Sequence, residues 1–308
     1  MGQPSDHRPT VSVITPVFNP GKLLAPAIAS ILSQTLSDLE LVVVDDGSTD
    51  GSREWLQKIA AQDARVRVIL HTGNRRAPVA RNTAIDAASG EFIAFQNHDD
   101  CAEPTRLERE VAFLRAHPGH GAVITAVNFF DPEGRPKPRA SVPSLDPLDH
   151  RWSALMECPF HLSSLMIRSS LLRENPGLRF DPTLTHRSDY GFHCLMLAAT
   201  SVGVIQDALV RYVLHPGSVS RLHTETMQRQ GDIIAHRAIQ RELPGHPLSL
   251  EDVSEMRGII LHLPGKFSRD LTAAKRAWDH YFRLLDAFRA RHSLDPSRPL
   301  PDPAPLNP

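Results

Sequence analysis

Cysteine is scarce in this chain of 308 residues: three, an odd number, with no CxxC spacing. That excludes a secreted disulfide framework and a zinc knuckle, and Cys101, Cys158 and Cys194 read as reduced core residues. Charge of one sign is equally lacking. With 34 Lys and Arg against 35 Asp and Glu, the formal net charge is -1, so polyanion binding driven by bulk charge is excluded and no nucleic-acid partner is expected. The 16 His add positive charge only in mild acid, so phosphate affinity at pH 7 must be local. No apolar run approaches the roughly 18 residues of a membrane span. The start Met1-Gly2-Gln3-Pro4-Ser5-Asp6-His7 is polar and unlike a signal peptide, which makes a cytoplasmic location the expectation.

What is present is an alternation. Apolar, β-branched runs at Val11–Thr15, Leu39–Asp45, Val66–Leu70 and Phe92–Phe95 are separated by helical patterns at Leu23–Gln34, Ser52–Gln62 and Val79–Ala88. This βαβ rhythm predicts an α/β fold with a parallel sheet. Val11–Ile14 and Leu41–Val44 are almost wholly apolar, as strands covered on both faces must be. Ligands of such sheets bind beyond the carboxyl ends of the strands. Attention therefore falls on Pro16 to Asn19, Asp45 to Ser48, His71 to Asn74 and Asn97 to Asp100.

A helix over Thr105–Ala116, a strand over Ala122–Phe130 and a proline-studded exposed loop from Pro132 to Pro147 follow. Then come an apolar Leu162–Ile167, a helix over Tyr190–Ala199, and two strands near Val202–Ile205 and Leu209–Leu214. Beyond about Arg221 the pattern is helical, at Glu225–Arg241, Leu250–Leu263 and Thr272–Ala290. The predicted organisation is a nucleotide-binding and catalytic domain over 1–220, a helical region over 221–293, and a proline-rich disordered tail over 294–308.

Asp45-Asp46-Gly47-Ser48-Thr49-Asp50 stands between a buried strand and a helix. Helix capping explains one acidic residue there but not two adjacent ones at a strand end. With Val11–Asn19, Ser30–Thr35 and Val44–Asp50 the chain resembles family 2 of the inverting glycosyltransferases, enzymes of the GT-A fold. Ala80-Arg81-Asn82-Thr83-Ala84, the acidic strand end Gln96-Asn97-His98-Asp99-Asp100, and Tyr212–Ser220 fall in family order, so the resemblance covers Val11 to Ser220. It implies a Rossmann-like, mostly parallel sheet flanked by helices, with a C-terminal helical extension.

By the resemblance, Pro16 and Phe18 line the base pocket and Asp46 accepts from a uracil-type imide N–H, a task for an acceptor-only carboxylate. Arg81 faces the diphosphate with its planar fork. The family's D-x-D metal motif reads Asn97-His98-Asp99 here, with Asp100 beside it. Asp99 is implied as a ligand of Mn²⁺ or Mg²⁺, alone or helped by Asp100 or by His215 of the late motif. Asn97 and His98 belong to the nucleotide-binding set; His98 can favour Mn²⁺ or donate to ribose or phosphate. The catalytic base corresponds to Asp189 in His186-Arg187-Ser188-Asp189-Tyr190, with Ser188 where the family has Glu; capping of the helix is the structural alternative. Arg75 and Arg76 grip phosphate or are solvated.

The resemblance thus implies metal-assisted transfer of a sugar from a nucleotide diphosphate, UDP foremost, to a hydroxyl acceptor. Glycan, lipid-linked and small-molecule acceptors all remain open, in cell-surface polysaccharide or natural-product glycosylation. The contrasting reading, motivated by Asn97 and Ser188, is a catalytically silent nucleotide-sugar or glycan-binding module. A sugar-phosphate nucleotidyltransferase would need a glycine-rich loop where Thr15-Pro16-Val17-Phe18-Asn19 stands. Leu271, Ala274, Trp278, Tyr281, Leu285 and Phe288 form an expected apolar stripe on the last helix. It would pack on the catalytic domain, on a twin subunit of a homodimer, or on a membrane surface in peripheral contact.

Overall fold

The computed structural model describes residues 8–215, 225–263 and 271–301. In chain order the first elements are β1 (Val11–Val17), α1 (Leu24–Leu32), β2 (Leu39–Asp45), α2 (Ser52–Gln62), β3 (Val66–Leu70), α3 (Ala77–Ala87) and β4 (Phe92–Phe95). Next come β5 (Cys101–Ala102), α4 (Arg106–Ala116), β6 (His120–Phe130), β7 (Pro136–Ser141), α5 (Pro147–Ser153), β8 (Leu165–Arg168) and α6 (Ser169–Glu174). The last are α7 (Ser188–Ala199), β9 (Ser201–Val213), α8 (Glu225–Glu242), α9 (Leu250–Ile260) and α10 (Leu271–Arg291).

These elements form two units, each drawn from three separate stretches of the chain. The first comprises residues 1–145, 160–183 and 199–216; the second comprises 146–159, 184–198 and 217–308. One sheet organises the first unit, in the order β3-β2-β1-β4-β8-β6-β9-β5, with β7 paired to β6. β1 to β4 are mutually parallel, as the βαβ rhythm predicts. β8 then runs antiparallel to both β4 and β6, so the sheet is mixed. Parallel order and helix-covered faces explain why every residue of β1 is buried. Val13, Leu41, Val43 and Phe92 from the strands and Ile28, Leu107 and Leu114 from the helices join one apolar core.

Two details differ from the sequence reading. The stretch from Pro132 to Pro147 is not all loop, because Pro136–Ser141 pairs with β6. A strand with one bonded edge tolerates Pro136 and Pro138, whose missing N–H groups need no partner. The two late strands are one, β9, whose pairing with β6 shifts register around Ala126 instead of breaking.

In the second unit, α10 buries Ala273, Ala277, Tyr281, Leu284 and Phe288. Trp152 of α5 meets the rings of Tyr281 at 5.5 Å and Phe288 at 5.4 Å. The expected stripe is therefore rotated: Trp278 and Phe282 are 43% and 52% exposed. Arg257 of α9 is fully buried and donates to the Met156 carbonyl, to Asp232 and to Glu157. No helix among the described residues is long and apolar enough to cross a membrane. Met1 to His7, Pro216 to Ser220 of the late motif, and the tail from residue 302 lie outside the described residues.

Candidate functional site

The carboxyl ends of β1, β2, β3 and β4 lie side by side because the strands are parallel and in register, Val17 beside Asp45 and Asp45 beside Leu70. The loop after β1 is stitched to the loop after β2. The Asp46 N–H donates to the Val17 carbonyl at 2.8 Å, the Asn19 N–H to Ser48 Oγ at 3.0 Å, and the Gly21 N–H to Asp50 Oδ2 at 2.8 Å. Pro16 is buried within β1, while Phe18, just beyond the carboxyl end of this central strand, is 41% exposed.

Asp45 and Asp46 divide their tasks. Asp45 is fully buried and structural: its carboxylate accepts from Arg53 Nε at 2.8 Å and from the Ser48 N–H. Asp46 is turned toward the loop after β3. Its Oδ1 lies 2.6 Å from His71 Nδ1 and accepts the Arg75 N–H at 3.0 Å, and its Oδ2 takes no hydrogen bond among the described residues. Gly47 permits this close approach with φ of +87°, and a Cβ there would lie 2.8 Å from the Gly73 backbone.

At the end of β4 the four residues Asn97 to Asp100 point in different directions. His98 Nδ1 lies 3.1 Å from the Pro16 carbonyl, which ties this turn to β1. Asn97 accepts from Arg81 Nη2 at 3.0 Å and donates through Nδ2 to Asp100 at 3.2 Å. The Arg81 guanidinium also lies over the Phe180 ring, 5.3 Å from its centroid. Asp99 Oδ2 meets His215 Nε2 at 3.0 Å, both partly exposed. Burial opposes the Asp99 charge, but the His215 hydrogen bond and the nearby His98 outweigh it and hold the carboxyl below its ordinary value.

Asp100 is turned inward and 1% exposed. It accepts from the Ser163 hydroxyl, from Asn97 and from the Val213 N–H. Burial, then the Asp99 charge, pushes its carboxyl up to about 7. Its surroundings suit a brace for the turn better than a ligand facing solvent. Among the described residues no group of three His, Cys, Asp or Glu is gathered to hold a metal ion. The pair Asp99 and His215 offers one carboxylate and one imidazole, a donor set that fits a divalent ion when phosphate oxygens and water complete the shell.

Beneath the turn lies a support that sequence reasoning missed. Arg106 of α4, fully buried, donates to Gln96 Oε1 at 2.8 Å, to the Phe95 carbonyl and to Glu110. Gln96 in turn donates to the Asp100 carbonyl at 2.6 Å. Ser163 was missed too, because a serine in an apolar stretch carries no local signal of function, whereas His71 was marked out by its place after β3 but not as the partner of Asp46.

Asp189 lies in the second unit, in the first turn of α7, where its Oδ1 accepts the Tyr190 N–H at 2.9 Å. The residue before the helix, Arg187, has a left-handed φ of 55° and is ion-paired with Glu157. Tyr190 anchors the same turn through its hydroxyl, which donates to the Ala154 carbonyl at 3.0 Å.

Acidic residues stand at the carboxyl ends of the parallel half of the sheet, where such sheets bind ligands, and the fold is the GT-A class of its structural neighbours. S. aureus TarS in complex with UDP-GlcNAc superposes with a TM-score of 0.63 at 20% identity, over 92% of this chain and 83% of that one. The mannosyltransferase PcManGT from Pyrobaculum calidifontis, in complex with GDP-Man and Mn2+, superposes at 0.55 and 20% identity, over 95% and 89%. At such identity the likeness is one of fold. The sequence model of glycosyl transferase family 2 matches residues 12–173, and the chain belongs to that family. The putative glycosyltransferase EpsE of Bacillus subtilis is 35% identical over 176 residues, 56% of this chain and 60% of EpsE. TuaG of the same organism, a putative teichuronic acid biosynthesis glycosyltransferase, is 38% identical over 110 residues, 36% of this chain and 44% of TuaG. The matches thus span about half the length of these two relatives.

Proposed function

We propose that this chain is an inverting glycosyltransferase that moves a sugar from a nucleoside diphosphate, UDP in the first instance, to a hydroxyl acceptor of glycan, lipid-linked or natural-product type. The observation that carries the reading is that Asp46 follows β2 and Asn97 and Asp99 follow β4 in the parallel half of one sheet, with Arg81 of α3 bonded to Asn97 and His215 bonded to Asp99. Membership of family 2 supports it.

In this reading Phe18 and Pro16 flank the base, and Asp46 accepts its imide N–H through Oδ2. Arg81, steered by Asn97, bonds diphosphate oxygens. Asp99 and His215 would hold Mn²⁺ or Mg²⁺, which when bound offsets the charge of the departing diphosphate. Asp189 takes the proton of the acceptor hydroxyl as the new C–O bond forms at the anomeric carbon; the old bond breaks and its electron pair leaves with the nucleoside diphosphate. Asn97 in place of a carboxylate is accommodated here as the link between Arg81 and Asp100, so its amide does not argue for a silent module.

Calorimetric titration with UDP, GDP and dTDP, each with Mn²⁺ and again with excess chelator, tests this reading. Metal-dependent binding of one nucleotide is the expected result. If none binds in either condition, the nucleotide-sugar reading falls and a silent glycan-binding module replaces the enzyme.

A further inference from the structure

His71, in the loop after β3, is fixed at every polar atom. Its ring is buried, with Nδ1 2.6 Å from Asp46 Oδ1 and Nε2 3.2 Å from Thr83 Oγ1 on α3. Its N–H donates to the Asp45 carbonyl at 2.9 Å, and its carbonyl accepts from Arg53 Nη2 at 2.7 Å. Arg53 is held in turn by Asp45. The imidazole therefore cannot turn without breaking contacts on both sides.

The consequence falls on Asp46. A carboxylate alone can present either oxygen, or exchange them by rotation. Here Oδ1 is taken by two donors, the His71 ring and the Arg75 N–H, and only Oδ2 is left to meet a ligand. An ionised carboxylate accepts and never donates, so the group it meets must carry N–H. Uracil, thymine and guanine have a ring imide or amide N–H. Cytosine has a lone pair at the same ring position, and facing it would leave two acceptors opposed.

We propose that His71 is a positioning residue that sets nucleobase specificity: by pinning Asp46 through Oδ1, it makes this strand end select bases with a ring N–H and reject cytosine. This rests on the reading of Asp46 as the base-contacting group.

The experiment is titration of the full chain with UDP, CDP and inorganic pyrophosphate in Mn²⁺, for wild type, His71→Leu and His71→Asn, with thermal melts alongside. The wild type is expected to favour UDP over CDP by about 10²-fold, the scale of a charged acceptor left unpaired. In His71→Leu the ratio should fall below about tenfold while pyrophosphate affinity changes by less than about twofold. His71→Asn, which places an amide N–H near the position of Nδ1, should restore most of the ratio. An unchanged ratio in His71→Leu, or equal weakening of all three ligands, overturns the proposal while leaving the reading of Asp46 intact. A wild type that does not distinguish UDP from CDP overturns that reading and the proposal with it. Should His71→Leu not fold, Thr83→Val removes only the Nε2 partner; a fall of at least about threefold in the ratio is then expected, and no change overturns the proposal.

Discussion

His215 Nε2 and Asp99 Oδ2 lie 3.0 Å apart although 116 residues separate them in the chain. The end of β9 makes the pairing possible, because the Val213 N–H donates to Asp100 at 3.3 Å and fixes that strand end beside the β4 turn. Two donors of different chemistry, one anionic and one neutral when deprotonated, thus face the same space.

If this pair holds the divalent ion, its loss should be felt only when the ion is there. Asp99→Ala should weaken UDP binding about tenfold or more in Mn²⁺ and little in chelator. His215→Ala should act in the same direction, and the double variant should lose less than the sum because the two groups share one partner. Calorimetry in the two conditions reads this directly. Equal losses with and without metal would remove the metal role from both residues.

The parallel half of the sheet was legible in the sequence because covered strands are apolar runs of period one, and Val11–Ile14 and Leu41–Val44 have no other use. Asp46 and Asp99 were legible by position, at strand ends. The supports were not. Gln96, Arg106 and Ser163 act by contacts that join different strands and helices, as in the bond from Arg106 to Gln96, and no local pattern announces such a contact; His71 was marked by its place after β3, but its bond to Asp46 was not. The stripe on α10 went astray for a related reason. Trp278 and Tyr281 both suit an apolar face, and only the ring of Trp152 packed on Tyr281 and Phe288 decides which of them is inside.

Gly47→Ala should couple fold to binding. The substitution puts a Cβ at 2.8 Å from the Gly73 backbone and 2.9 Å from Asn74, at a φ of +87° that side chains rarely adopt. The strain is of order 1–3 kcal/mol. It should lower the melting temperature and, because Arg75 in the same loop donates to Asp46, weaken nucleotide binding as well. Normal binding in a variant with a lowered melting temperature would show that the Gly73–Arg75 loop does not set Asp46.

Glu110 supplies a pH test away from the site. Burial, only partly offset by Arg106, pushes its carboxyl up to about 7. The folded state then keeps a proton that the unfolded chain releases near its ordinary value of 4.5. Stability from this group is full below about pH 4.5 and declines as pH rises through 7, by on the order of 3 kcal/mol. Glu110→Gln copies the protonated form, so it should melt like wild type at pH 5 and above wild type at pH 8. Denaturant melts at the two pH values check it, and a parallel decline in both proteins would rule the group out.

Asp189→Asn separates chemistry from capping. Its Oδ1 accepts the Tyr190 N–H at 2.9 Å, and an asparagine oxygen can do the same, so the start of α7 should survive the change with melting temperature and UDP affinity near wild type. The amide cannot take a proton at neutral pH. Turnover should therefore fall on the order of 10²-fold or more, the scale of losing a general base. The turn itself is braced from within its own unit, by Arg187 paired with Glu157 and by Glu157 paired with the buried Arg257. Glu157→Gln should thus disturb stability first, since Arg187 and Arg257 lose a shared counter-charge, whereas Asp189→Asn should disturb rate alone. Turnover unchanged in Asp189→Asn would make Asp189 a helix cap and send the search for the base to another carboxylate.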